Sequence, residues 1–142
     1  MTPEEALEAV KAILQAYLNC EIRRENEKHG DKIVLAEIPV QNYFYNLLDL
    51  PNTERFINLE LADAPAEDET SEIEIDLSFP ITGHDDYIRA LRYQQALRRV
   101  LKSHGRDDSL NLKLEGKSLN GYLSGSLKRY LVSYRVSTTT FH

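Results

Sequence analysis

The stretch "EIEIDLSF", residues 72–79, alternates with a period of two: Ile73, Ile75, Leu77 and Phe79 fall on one side, Glu72, Glu74, Asp76 and Ser78 on the other. Only an extended strand separates these sets, because successive side chains of a strand point to opposite faces. The apolar set requires a covering layer, and the polar set faces water or a partner. Three of the four polar residues carry the same sign, which costs repulsion unless a cation lies opposite.

Two helices are expected to supply the covering layer. Thr2-Pro3-Glu4-Glu5 joins a capping residue, a proline suited to the first helical position and a glutamate that completes a capping box. Leu7, Val10, Ile13, Leu14, Tyr17 and Leu18 then recur at helical spacing, and Gly30 ends the run, so a helix is predicted over about 3–28. After a break at Pro80–Gly83, Asp85 or Asp86 opens a second helix, 85–104, closed by Gly105, with Ile88, Leu91, Leu97, Val100 and Leu101 as its expected core stripe. Strands are predicted at 32–38, 55–61, 72–79, 110–114 and 127–137. The expected fold is a single α+β domain: a mixed or antiparallel sheet of about four to five strands packed against two helices.

A length of 142 residues with 42% hydrophobic content suits one domain able to bury a core without metal or disulfides. No apolar run is long enough to span a bilayer, and the acidic N-terminal segment does not resemble a signal or transit peptide. A single cysteine, Cys20, excludes an internal disulfide framework; following an apolar helix face, it is expected to be a buried or interfacial small hydrophobe. These features point to synthesis in a cytoplasm.

Charge is distributed unevenly. Residues 1–55 carry ten acids and six bases, residues 56–88 ten acids and no base, and residues 89–142 three acids and eleven bases, within a net charge of −6. The net sign disfavours a dedicated nucleic-acid binder. "NGYLSGSLKRYLVSYRV" mixes aromatics with cations but lacks the aromatic signature of an RNA-recognition motif.

No chemistry-bearing constellation emerges. The acidic stretch has no calcium-loop spacing, and His29, His84, His104 and His142 are scattered. Ser124-Gly125-Ser126 lacks a nucleophile elbow, and Gly116, Gly121 and Gly125 lack the lysine of a phosphate loop. No catalytic, cofactor or metal site is therefore expected. The residues singled out are those that could join subunits: Glu72, Glu74 and Asp76 on the acidic strand, and Arg92, Arg98, Arg99 and Lys102 on the basic helix. Asp63, Glu67, Asp68 and Glu69 mark a loop, 62–71, too polar to bury much area and expected to be mobile or to face a lumen.

Three stretches carry a family likeness: the helix "EEALEAVKAILQAYL", the strand-to-helix run "EIEIDLSFPITGHDDYIRALRYQQALRRVL", and the closing "GYLSGSLKRYLVSYRV". In order and character they resemble the tail-terminator and related head-to-tail joining proteins of tailed bacteriophages. The resemblance implies a non-enzymatic virion subunit, made in the host cytoplasm. It would form a ring with itself, commonly a hexamer, that caps the tail tube and meets a head connector or stopper protein. DNA would only pass through the lumen, and no membrane or cofactor is involved. A neck adaptor or stopper is the nearest alternative, and a ferredoxin-like ligand- or protein-binding module the alternative from another class. Ring contacts join unlike patches of neighbouring subunits, for which an acidic side and a basic side are suited. The competing explanation is that helix 85–104 packs its arginines across strand 72–79 inside one subunit.

Overall fold

The computed structural model describes residues 2–40, 43–44, 55–63, 71–107, 112–118, 122–124 and 129–140. In chain order these form α1 (Pro3–His29), β1 (Tyr43–Phe44), β2 (Phe56–Asp63), β3 (Ser71–Pro80), α2 (Asp86–His104), β4 (Arg106–Asp107), β5 (Leu112–Ser118), β6 (Tyr122–Ser124) and β7 (Arg129–Thr140). The fold is a small α+β domain. Its sheet is built on three long antiparallel strands, β2-β3-β7, and extended by short segments in the order β1-β2-β3-β7-β5-β4, with β6 also paired to β7. β5 and β6 share one edge of β7, at opposite ends of it.

Both helices lie on one face of this sheet, α1 over β2 and β3, α2 over β7 and β5, and they pack on each other. Ile73, Ile75, Leu77 and Phe79 of β3 point into the core with Ile57 and Leu59 of β2 and Tyr130, Val132, Tyr134 and Val136 of β7. The rings of Phe79 and Tyr130 stack at 5.4 Å. Burial pushes the Tyr93 phenol up to about 12, and its hydroxyl donates to the Ala36 carbonyl at 2.8 Å.

α1 begins with the capping box: the Glu5 N–H donates to Thr2 Oγ1 at 3.1 Å, and the Thr2 N–H donates to Glu5 Oε1 at 3.4 Å. It ends at Gly30, whose φ of 59° is left-handed and suits a residue without Cβ. Its buried stripe is Ala6, Val10, Leu14, Leu18, Glu21, Ile22 and Glu25; Tyr17 is exposed at the edge.

The α2 stripe differs from the expected one. Ala90, Tyr93, Ala96, Leu97, Val100 and Leu101 are buried, whereas Ile88 and Leu91 are 38% and 42% exposed. The small Ala90 and Ala96 occupy the buried face, and the bulkier Ile88 and Leu91 stay outside it. Asp85 precedes α2 at φ 60° without capping it. Asp86 organises the turn instead, accepting from the backbone N–H groups of Thr82 and Gly83 at 3.0 and 3.1 Å and from Thr82 Oγ1 at 2.7 Å.

The strand expected at 32–38 is absent. Among the described residues that segment pairs with no strand; side chains of α1 bind it instead. Asn26 and Asn19 each exchange two hydrogen bonds with a single backbone residue, Asn26 with Leu35 at 2.8 and 2.9 Å and Asn19 with Ile38 at 2.8 and 2.6 Å. Gln15 Nε2 donates to the Val40 carbonyl at 3.0 Å, and Arg23 pairs with Glu37. The spacing accounts for the fit. Seven helical residues rise about 10.5 Å, and three extended residues span about 10 Å, so each amide meets its residue as the chain returns antiparallel to the helix.

Candidate functional site

The face of the sheet away from the helices carries a grid of cross-strand pairs. In one row Asn58 of β2, Asp76 of β3 and Ser133 of β7 stand side by side; in the next stand Glu60, Glu74 and Arg135. Directly opposed residues share a face with Cβ atoms about 4.5–5.5 Å apart, so six polar side chains form one patch. Among the described side chains this patch and the adjoining Glu72 set four carboxylates, those of Glu60, Glu72, Glu74 and Asp76, against a single cation, Arg135, whose guanidinium lies 3.8 Å from Glu72 and 3.6 Å from Glu74. Arg135 is the cation that the alternating acidic strand requires.

The first row is buried although it faces away from the helices: Asn58, Asp76 and Ser133 are 1%, 3% and 4% exposed. Ser133 Oγ donates to Asp76 Oδ1 at 2.6 Å. Burial raises the Asp76 carboxyl to about 6; the serine bond pulls the other way, and the neighbouring Glu74 and Glu60 push it further up. Asn58 is buried with neither amide atom hydrogen-bonded. One carboxylate oxygen from each of Glu60, Glu74 and Asp76 lies within 4.8 Å of the other two. No metal site is expected from the sequence, in which Asn58 and Glu60 stand out only as one side of a strand and Glu60 as the start of an acidic run. The alternation of β2 places both on the polar side, but their neighbours follow only from the β2–β3 register.

The basic residues of α2 lie on the other side of the sheet. Two of the four proposed for subunit contacts are held inside the chain. Arg92 forks onto Asp31 at 2.8 and 2.7 Å and donates to the Ile33 carbonyl at 2.9 Å. That contact holds the Asp31 carboxyl down at about 2. Arg99 reaches Glu21 Oε2 at 2.8 Å and Glu25 Oε2 at 2.6 Å across the helix–helix interface. Burial alone would raise the Glu25 carboxyl, but Arg99 and His29 outweigh it and hold it below the ordinary range. Arg98 and Lys102 remain exposed. The explanation that the arginines cross strand 72–79 within one subunit is overturned, because the core separates them from its acidic face.

Of the loop residues, Asp63 ends β2, registering with Glu72 after a bulge, rather than lying in a loop; Glu67, Asp68 and Glu69 fall outside the described residues. Cys20 is exposed rather than buried. His104 stacks on Tyr17 with ring centroids 3.5 Å apart, which ties the end of α2 to α1. The start of α2 presents an apolar patch to solvent: Tyr87 is 62% exposed, beside Ile88 and Leu91. Among the described residues no helix is long and apolar enough to cross a membrane.

No protein-family model matches the sequence, and no curated protein matches it.

Proposed function

We propose that this chain is a ring-forming structural subunit of a tailed-bacteriophage neck, first a tail terminator that caps the tail tube and joins it to the head connector, and otherwise an adaptor or stopper of the same neck. The observation that carries this reading is the two-sidedness of the domain. The carboxylates of Glu60, Glu72 and Glu74 occupy one face of the sheet, while Arg98, Lys102 and the apolar Tyr87–Ile88–Leu91 patch occupy the helix layer on the other. These surfaces cannot meet within one subunit, yet they are complementary between subunits. A heterologous contact of that kind builds a ring where the rotation between neighbours closes, whereas a two-fold dimer pairs a patch with itself. The activity is non-enzymatic, and the partners are the chain itself, a tail-tube protein and a connector or stopper.

The ferredoxin-like module is less well supported. A split βαβ unit places parallel strands at its centre, but β2, β3 and β7 pair antiparallel, and β1 with β2 is the one parallel pairing among the described strands.

Sedimentation velocity and micrographs test the proposal, on the protein alone and mixed with tubes assembled from the tube protein encoded nearest to it. A closed ring, in solution or at tube ends, is the expected result. A stable two-fold dimer, or a chain that neither closes into rings nor caps tubes, would remove the proposal.

A further inference from the structure

We infer that Glu60, Glu74 and Asp76, with the side-chain carbonyl of Asn58, form a binding site for a calcium-sized divalent cation on the outer face of the sheet. The inference concerns the isolated chain and does not depend on ring formation.

Three observations converge on it. The first is the donor set: three carboxylates on two neighbouring strands, each offering an oxygen within 4.8 Å of the others. Calcium takes six to eight oxygen ligands at about 2.3–2.6 Å, so oxygens on opposite sides of one ion stand about 4.6–5.2 Å apart. Three oxygens no more than 4.8 Å apart bracket a space on the scale of one such ion. Magnesium, at about 2.0–2.1 Å with strict octahedral geometry, has a span of about 4.0–4.2 Å. It also keeps several of its waters, for which a buried carboxyl and a buried amide on adjacent strands leave little room.

The second observation is Asn58. It stands on the same face as the carboxylates, directly opposite Asp76 and two residues from Glu60. It is 1% exposed, and neither its Oδ1 nor its Nδ2 has a partner. A buried polar group left unpaired costs about 1–3 kcal/mol. A cation beside Asp76 would give the amide oxygen a ligand role.

The third is uncompensated charge. Arg135 approaches Glu72 and Glu74 from β7, but no described cation contacts Glu60 or Asp76. Like charges directly opposed across a sheet are destabilising, and Glu60 faces Glu74 in that way. A divalent ion between them turns repulsion into coordination. The groups facing Asp76 are Glu60 from β2, Glu74 on its own strand, and Ser133 and Arg135 from β7.

The test is calorimetric titration of the chelator-treated full chain with calcium chloride, with magnesium chloride run in parallel. One saturable calcium site per chain is expected, in the range of about 10⁻⁵–10⁻³ M, with magnesium weaker. Affinity should fall on acidification, because protons compete with the ion for the carboxylates. Asp76→Asn and Glu74→Gln should each weaken binding by at least the ~10- to 100-fold that loss of an outer partner costs a metal site. Glu60→Gln, at the exposed end of the cluster, guards against a folding defect in the other two and should also weaken binding. Absence of saturable calcium binding in the unmodified chain overturns the inference. So does calcium affinity left unchanged in Glu60→Gln or in the Glu74→Gln, Asp76→Asn protein, because the ion would then sit elsewhere.

Discussion

Asn26 holds Leu35 through both ends of its side-chain amide: Oδ1 accepts from the Leu35 N–H at 2.8 Å and Nδ2 donates to the Leu35 carbonyl at 2.9 Å. The amide takes the place of a neighbouring strand. Asn26→Ala should leave two backbone groups of a half-buried segment unpaired and destabilise the domain by about 1–3 kcal/mol. Amide exchange at Leu35 and Ile38 checks it. Protection should fall at Leu35 first, and Asn19→Ala should shift the loss toward Ile38.

The Arg99 fork joins two helices through charges withdrawn from water, with Glu25 1% and Glu21 7% exposed at the side chain. Arg99→Met should therefore cost about 3–5 kcal/mol in urea unfolding, because it strands buried carboxylates. Adding Glu25→Met to that variant should recover part of the loss, since an apolar pair of similar volume does not need solvation. If the double variant is no more stable than the single one, the carboxylate is not what makes the loss costly.

Asp76 has the opposite pH signature. Its folded value of about 6 lies above the ordinary 3.8, so between these values the native state binds more protons than the unfolded one. Its contribution is greatest below about pH 4, declines as pH rises to about 6, and is flat beyond. The full difference is about 3 kcal/mol by linkage. In chelator at pH 7, Asp76→Asn should raise the melting temperature, and the gap between the two proteins should close on acidification to pH 4. Glu25 and Asp31, whose carboxyls are held low, contribute above their unfolded values and lose that contribution on acidification. Only the difference between the two proteins isolates Asp76.

Assembly by charge complementarity predicts weakening with salt, since exposed pairs are screened over about 8–10 Å at physiological ionic strength. Arg98→Glu with Lys102→Glu should impair ring formation while changing the subunit's stability by no more than about 1 kcal/mol. Reversing Arg99 would confuse the result by breaking the fork to Glu21 and Glu25. Glu60→Lys with Glu72→Lys in the same chain should partly restore rings. Normal ring formation by the Arg98→Glu, Lys102→Glu protein would show that these faces do not meet.

How far the structure was legible in the sequence depended on whether a signal was local. The capping box at Thr2 and Glu5 and the alternation of 72–79 are carried by neighbouring residues, and both are present in the fold. The segment 32–38 has strand composition, but its partners are asparagines on a helix, where polar residues ordinarily signal only a solvated face. In α2 the expected stripe holds at Leu97, Val100 and Leu101 and departs at Ile88 and Leu91, whose apolar bulk outweighs Ala90 and Ala96 in a hydropathy pattern although the alanines are the buried residues. The site was half visible. Glu72, Glu74 and Asp76 follow from one strand, but Glu60, Asn58, Ser133 and Arg135 join them only through pairing with distant strands.

The position of β7 has a consequence for synthesis. It fills the centre of the sheet, between β3 on one side and β5 and β6 on the other, yet it is the last described strand to leave the ribosome. Until it emerges, β3 has one edge unpaired along ten residues, and a bare edge invites pairing with another chain. The nascent protein must therefore keep β3 from strangers while the C-terminal third is made. The carboxylates of Glu72, Glu74 and Asp76 supply the means, for a strand studded with like charges repels copies of itself. The acidity of this strand would then guard the growing chain before the finished molecule has any use for it.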